Sequence, residues 1–282
     1  MGQEILNRGV KPYGTIWGAS ALLNKKYHKT VIKTHLDFIK AGADVIVTNT
    51  FGSRKRRLIE NNLSHKYKYL NQMAGKLARI AVKKSKRKIL VAGSLPPQNF
   101  TYFSDLGNDL KFIKNGFKSQ AGLLNPFVDF FYLDVMCSYK ECKIAIESII
   151  KYHKKFLVGI HIRNKGKLPS GESLISVVKR LQKYNPLGFV ASCVSVEDLQ
   201  HVMKDISKIK APFGFKINAF EHIPAGWKPD ANNPKIQLGK RKDLTPKQFF
   251  KVCNKFEKMG AKIIGGCCEI GPKHIKFLNK LK

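Results

Sequence analysis

The chain has 282 residues, of which 43% are hydrophobic, so it can bury a substantial core in one large domain or in two small ones. Its 52 lysines and arginines against 19 acidic residues give a formal charge of +33, which points first to nucleic acid or an anionic surface. These basic residues are scattered and lack the interleaved aromatic residues of a base-stacking surface, so we predict no specific nucleic-acid partner. No run of about 20 apolar residues occurs, so we predict no membrane span.

Short β-branched and apolar runs alternate with longer segments of helical period along the chain. The predicted strands cover residues 44–51, 89–97, 128–136, 156–162, 188–195, 213–220 and 262–268. The predicted helices cover residues 27–41, 70–84, 138–151, 173–183, 196–207 and 245–259, and a last helix begins near Pro272. Strands that alternate with helices indicate a parallel sheet with crossover helices.

The predicted strands are almost continuously apolar, as buried parallel strands are. Small or polar residues follow at their C-terminal ends, namely Thr48, Asn49, Thr50, Ser94, Asp134, His161, Ser192, Cys193, Asn218, Cys267 and Cys268. In a parallel barrel these ends converge on one mouth, where active sites are built. We therefore predict an α/β fold of the (β/α)8 TIM-barrel type that forms a single domain over residues 1–282. A doubly wound open sheet is the alternative.

Three cysteines lie at two of these strand ends. Cys193 alone is typical of a small buried apolar residue. Cys267 and Cys268 follow two glycines, which let the backbone bend closely, and precede the helix that begins near Pro272. Three thiolates form a soft ligand set that favours zinc, and they leave the fourth tetrahedral position open, as in catalytic sites. The alternative is a reduced and packed cysteine pair.

The remaining candidates have less specific surroundings. We interpret Cys137, Cys142 and Cys253 as structural, and His161 as a hydrogen-bonded residue that lines the mouth. The long loop 222–239 either covers the site or is pinned to the barrel by Trp227. The N-terminal residues do not form a signal peptide, so we expect a cytoplasmic location, where cysteines remain reduced.

Two segments resemble signatures of the homocysteine S-methyltransferase family: residues 42–51 (GADVIVTNTF) and residues 265–275 (GGCCEIGPKHI). Residues 1–9 and 91–94 also match, so the resemblance covers essentially the whole chain. It implies a (β/α)8 barrel in which Cys193, Cys267 and Cys268 hold Zn²⁺. It also implies methyl transfer from a sulfonium or quaternary ammonium donor to the thiolate of homocysteine, which gives methionine. The opening residues 1–9 favour a sulfonium donor such as S-methylmethionine.

The chain departs from the family pattern at several positions. Asp134 occupies the place of a glutamate that helps to hold the amino group of homocysteine, and Ser192 replaces an asparagine. We expect Asp134, Thr48, Asn49 and Ser192 to contact the substrate, although Asp134 is alternatively a helix cap. The family's first strand, which ends in Asp-Gly-Gly, should lie just before Met1. We expect that the true chain starts upstream; a divergent member with an open barrel is the alternative.

The functional hypotheses differ in what the zinc does. In the first, the chain is a methyltransferase whose partners are small molecules, homocysteine and a methyl donor, and the metal makes a thiol nucleophilic by holding it as the thiolate. In the second, zinc activates water for hydrolysis, which three negative ligands disfavour. In the third, the barrel binds zinc or thiols without catalysis.

Overall fold

The protein is described by a computed structural model that covers residues 1–281. Seven strands form one parallel sheet in which each strand pairs with the next along the chain. They are β1 (Val45–Val47), β2 (Leu90–Leu95), β3 (Phe130–Met136), β4 (Phe156–Ile160), β5 (Phe189–Val194), β6 (Phe213–Ile217) and β7 (Ile263–Gly266). All seven coincide with predicted strands, and the barrel-type α/β architecture is confirmed.

Helices precede the first strand, connect the successive strands and follow the last one. They are α1 (Gly2–Asn7), α2 (Ser20–Leu23), α3 (His28–Lys40), α4 (Lys55–Ile59), α5 (Tyr67–Ser85), α6 (Leu110–Leu124), α7 (Tyr139–Ile149), α8 (Leu174–Leu181), α9 (Val196–Met203), α10 (Pro234–Leu238), α11 (Pro246–Lys258) and α12 (Pro272–Leu278). Within residues 1–281, no helix has the length and apolar character needed to cross a bilayer.

The helix α6, which crosses over between β2 and β3, is not among the helices predicted from the sequence. Asp109 caps its first turn by accepting a hydrogen bond from the backbone N–H of Phe112 at 2.8 Å. The helix contains Gly116 and Gly122, and glycine lowers helix propensity by about 1 kcal/mol relative to alanine. Tertiary packing overrides that propensity, because Ile113 and Phe117 are fully buried against the sheet.

Successive side chains of a strand point to opposite faces of the sheet. The sheet therefore has one apolar layer between the strands and the helices and a second one inside the barrel. On β3, Phe131 and Leu133 join the large core between the sheet and the helices. Phe130 and Tyr132 join a small cluster inside the barrel with Ala92 and Val190. Inward positions near the C-terminal strand ends therefore carry side chains into the mouth.

The barrel is open along one seam. Within residues 1–281 the sheet runs from β1 to β7 without pairing those two strands, so each has a free edge. Val45 on β1 is 40% exposed, and every residue of β7 is half-buried. A cavity of about 680 Å³ extends from the mouth through the barrel interior to this seam.

Candidate metal centre and substrate pocket

Three cysteine sulfurs meet at the mouth of the barrel. The Sγ atoms of Cys193, Cys267 and Cys268 all lie within 4.8 Å of one another, and those of Cys193 and Cys268 are 4.0 Å apart. Sulfur atoms bound to one tetrahedral zinc ion at 2.3 Å would lie about 3.8 Å apart. The three sulfurs therefore lie within about 1 Å of the mutual spacing that a set of zinc ligands has.

The position of Cys193 depends on a bulge in β5. Ser192 points into the barrel, so regular alternation would aim the next side chain at the helices. Instead Cys193 has a left-handed φ of 53°, and the register between β5 and β6 shifts between Ser192 and Val194. Bulges of this kind re-aim a side chain. Here the thiol is directed to the mouth, where it is 1% exposed.

The corner after β7 is held by backbone contacts. The N–H of Cys267 donates to the carbonyl of Ile217 at 2.7 Å, and the N–H of Ala219 donates to the carbonyl of Cys268 at 2.9 Å. A Cβ at Gly266 would lie 2.1 Å from Cγ2 of Ile270, so only glycine allows this close turn. These contacts fix both sulfurs at the ends of neighbouring strands.

The pKa values of the three thiols are consistent with a site for a cation. The pKa of Cys267 is lowered because the thiols of Cys193 and Cys268 hydrogen-bond to it, with a further contribution from the ammonium group of Lys216. The hydrogen bond with Cys267 raises the pKa of Cys193, and hydrogen bonds with Cys193 and Cys267 raise the pKa of Cys268. The protein alone thus stabilises one thiolate among three sulfurs, and a divalent ion would be needed to hold all three as thiolates.

A polar cluster lies inside the barrel, next to the sulfurs. Asp134 accepts hydrogen bonds from the hydroxyls of Ser94 and Ser192, each at 3.2 Å, and from Nζ of Lys216 at 3.3 Å. Burial raises the pKa of Asp134, and the Lys216 ammonium acts in the opposite direction. Asp134 does not cap α7, because Ser138 accepts the hydrogen bond from the backbone N–H of Glu141.

The other expected substrate residues have different surroundings. Thr48 and Asn49 line the same cavity as Asp134. The hydroxyl of Thr48 accepts from the N–H of Ser94 at 3.0 Å, and the amide of Asn49 donates to the carbonyl of Gly18 at 2.9 Å. Ser192 is fully buried and hydrogen-bonded to Asp134 and to the hydroxyl of Tyr132, so it is placed behind the cavity wall.

Two residues of the site escaped the sequence analysis. Lys216 is on β6 and Tyr132 on β3, and Nζ of Lys216 lies 4.6 Å from the centre of the Tyr132 ring. A lysine within an otherwise apolar strand was the available signal, but 52 basic residues in the chain obscured it. Tyr102 is a further residue of the site, because its hydroxyl lies 3.2 Å from Sγ of Cys193.

Aromatic side chains surround the sulfurs. Tyr102 and Trp227 have ring centres 6.1 Å apart, and both line the cavity together with Trp17 and Phe51. The Trp227 side chain packs against the apolar cluster at the mouth, which includes Tyr102 and Phe220. Within loop 222–239, its Nε1 donates to Oε1 of Gln237 at 3.0 Å. The loop therefore packs over the mouth through Trp227.

The remaining candidates lie apart from the cluster. Cys137, Cys142 and Cys253 are fully buried and free, and among residues 1–281 they form no metal-binding group. Nδ1 of His161 lies 3.2 Å from the carbonyl of Ser192, and its ring centre is 4.7 Å from that of Tyr102. Burial lowers the pKa of His161 to about 4, so the ring is neutral at physiological pH.

Comparison with known proteins gives one consistent family. The sequence profile described as "Homocysteine S-methyltransferase" matches residues 1–281. Homocysteine S-methyltransferase 2 of Saccharomyces cerevisiae is 25% identical, over 99% of this chain and 90% of the relative. Homocysteine S-methyltransferase 1 of Brassica oleracea is 23% identical, over 94% and 86%. The metallated crystal structure of the Escherichia coli homocysteine methyltransferase MmuM superposes with a TM-score of 0.82 at 19% identity, and covers 100% of this chain and 94% of that one.

Proposed function

The chain belongs to the homocysteine S-methyltransferase family, and from that premise we propose that it transfers a methyl group to the thiol sulfur of homocysteine and so forms methionine. The observation that carries the proposal is the convergence of Cys193, Cys267 and Cys268 at the mouth, beside a buried carboxylate. We further propose that the metal is zinc. A set of three thiolates is typical of zinc, and three protein ligands leave one coordination position for a substrate.

The residues of the chain would divide the work of binding and positioning. Cys193, Cys267 and Cys268 would hold the zinc ion, whose positive charge would favour the thiolate form of the substrate thiol, which is the nucleophilic form. Asp134 would accept hydrogen bonds from the α-ammonium group, since Ser94, Ser192 and Lys216 leave the carboxylate with remaining acceptor capacity. Fixing the thiol at one end and the ammonium at the other would orient the sulfur towards the donor.

The aromatic mouth is the proposed donor site. A sulfonium or quaternary ammonium group is attracted to aromatic ring faces. Tyr102, Trp227, Trp17 and Phe51 surround the mouth next to the sulfurs. Phe103 lies outside this aromatic group and packs against Phe100, with ring centres 5.7 Å apart. We infer a sulfonium donor such as S-methylmethionine, on the basis of the opening residues 1–9.

The test is a donor comparison with the purified, zinc-loaded chain. Homocysteine is incubated separately with S-methylmethionine, S-adenosylmethionine and betaine, and methionine is measured by mass spectrometry together with zinc content. We expect about one zinc ion per chain and the fastest methionine formation with S-methylmethionine. Zinc binding without methyl transfer from any of the donors would favour the non-catalytic or differently catalytic barrel. Full activity without zinc would contradict the proposed metal.

A further inference from the structure

Lys216 is a charged side chain inside the barrel that the proposed reaction does not yet use. Regular alternation along β6 places Phe215 and Ile217 in the outer core, so Lys216 between them points inward. In the parallel pairing of β6 with β7, Lys216 lies opposite Gly265, which is two residues before Cys267. Its ammonium group therefore enters the cavity beside the cysteine corner.

The surroundings of Lys216 leave much of its hydrogen-bonding capacity free. An ammonium group has three N–H donors. Within residues 1–281, the hydrogen bond recorded for Nζ goes to Oδ1 of Asp134 at 3.3 Å, and the ring face of Tyr132 covers another side. Asp134 has two serine hydroxyl donors as well, so this carboxylate does not depend on Lys216 alone for hydrogen bonds. Lys216 and Asp134 both line the cavity, and the side chain of Lys216 is 18% exposed.

The cavity also needs a cation near the place of the substrate. Three thiolates around a divalent ion carry a net negative charge, and Asp134 adds another, so an entering carboxylate would be repelled. The other lysine and arginine side chains that line the cavity are paired or placed elsewhere. Arg54 donates to Thr101 and to the carbonyl of Phe51, and Arg57 pairs with Glu60. Lys262 precedes β7 and lies at the opposite end of that strand from Cys267.

We propose that Lys216 binds the α-carboxylate of the amino-acid thiol and thereby selects substrates that carry both an ammonium and a carboxylate group. The proposal rests on the proposed function and deepens it. Lys216 and Asp134 would form a matched pair of opposite charges next to the metal. Nζ of Lys216 lies 3.3 Å from Oδ1 of Asp134. On substrate binding, Lys216 would turn part of this contact to the substrate carboxylate, and Asp134 would turn part of it to the substrate ammonium group.

The experiment compares two thiols that differ by the carboxylate. Homocysteine carries it, and 3-aminopropane-1-thiol is the same chain without it. Binding of each thiol to the zinc-loaded protein is measured by calorimetry, and methylation by KM and kcat. The variant Lys216→Met removes the charge at nearly constant length, Lys216→Arg retains a cation, and Lys140→Met is the matched change at an exposed lysine.

We expect wild type to bind homocysteine about 10- to 100-fold more tightly than the aminothiol, the range of a lost charge-assisted hydrogen bond. Lys216→Met should weaken homocysteine binding by a similar factor and change aminothiol binding by less than about threefold. Lys216→Arg should recover part of the difference, and Lys140→Met should match wild type. Zinc content should be the same in all four proteins.

Two outcomes would overturn the proposal. If Lys216→Met weakens both thiols equally, Lys216 only positions Asp134. If wild type does not distinguish the two thiols, no group binds the carboxylate, and this result does not depend on whether the variants fold. Failure of the proposed function is a separate result: the protein would then bind homocysteine in the calorimeter but methylate neither thiol.

Discussion

The six cysteines of the chain form two groups of three that differ in what surrounds the sulfur. Cys142 and Cys253 are 0% exposed within the apolar core. Cys137 is equally buried, and its thiol donates to the carbonyl of Val135 at 3.4 Å. Burial raises the pKa of all three thiols. At the mouth, Cys193 and Cys268 are also buried, at 1% and 8% exposed, but their sulfurs face each other and Cys267. A single buried cysteine behaves as a small apolar side chain. Three cysteine sulfurs that lie close together can act as a set of metal ligands. Depth in the protein therefore does not separate the two groups.

The largest expected effect comes from removing a mouth cysteine. Cys193→Ala, Cys267→Ala or Cys268→Ala should lower zinc from about one ion per chain to a small fraction. Methyl transfer should fall by more than roughly 100-fold, because even changes behind the ligands typically cost 10- to 100-fold. Metal analysis and a methionine assay measure both. A chelated wild-type protein that regains activity with added zinc is the control, and an active variant without zinc would contradict the ligand assignment.

A second prediction separates substrate binding from metal binding at the mouth. Asp134→Asn keeps the shape but removes the charge, so the KM for homocysteine should rise roughly 10- to 100-fold, as expected for loss of a charged hydrogen bond. Zinc content should be unchanged, because Asp134 is not among the three sulfur ligands. Unchanged homocysteine affinity in this variant would assign Asp134 to a purely structural network with Ser94 and Ser192.

His161 offers a pH test of a buried group at the mouth that stays uncharged. Its pKa is about 4 in the folded protein, because of burial, against about 6.5 in an unfolded chain. Between these values the unfolded state binds more protons, so the free energy of unfolding falls as pH decreases from about 6.5 to about 4, by up to about 3 kcal/mol.

Urea unfolding of the metal-free protein at pH 7 and pH 5 would measure the His161 effect. Metal-free protein is used because unfolding of zinc-loaded protein would release the metal and protonate the thiolates, which would add a separate pH dependence to the free energy of unfolding. His161→Asn retains a hydrogen-bond donor but no titrating ring, so its stability should depend less on pH in this interval. An identical pH dependence in the variant would show that His161 is not the group responsible.

The smallest effect is expected in the other group of cysteines. Cys253→Ala leaves a small cavity beside Phe249 and Phe256 in the apolar core, which should lower the free energy of unfolding by about 1 kcal/mol and Tm by about 2 °C. Zinc content and methyl transfer should match wild type. Loss of zinc in this variant would remove the distinction between the two groups. Thermal unfolding and metal analysis of the same preparation provide the measurement.

Much of this protein is determined locally by its sequence. The alternation of apolar runs with amphipathic segments predicts the seven strands, because buried parallel strands and crossover helices have different hydrophobic periods. The corner at 265–268 predicts the paired ligands, since only glycine permits the close turn before Cys267. By contrast, α6 was missed because its two glycines lower the local helix signal, and packing against the sheet decides that segment.

Tertiary structure decides what no local pattern contains. The residue after Ser192 should point outward by alternation, but the bulge with its positive φ turns Cys193 into the mouth. The inward direction of Lys216 depends on the register of β6, and its partner Asp134 is 82 residues away along the chain. The open seam between β1 and β7 likewise depends on which strands meet in space. Sequence periodicity specifies the face of each element, but contacts between distant strands specify which side chains share a site.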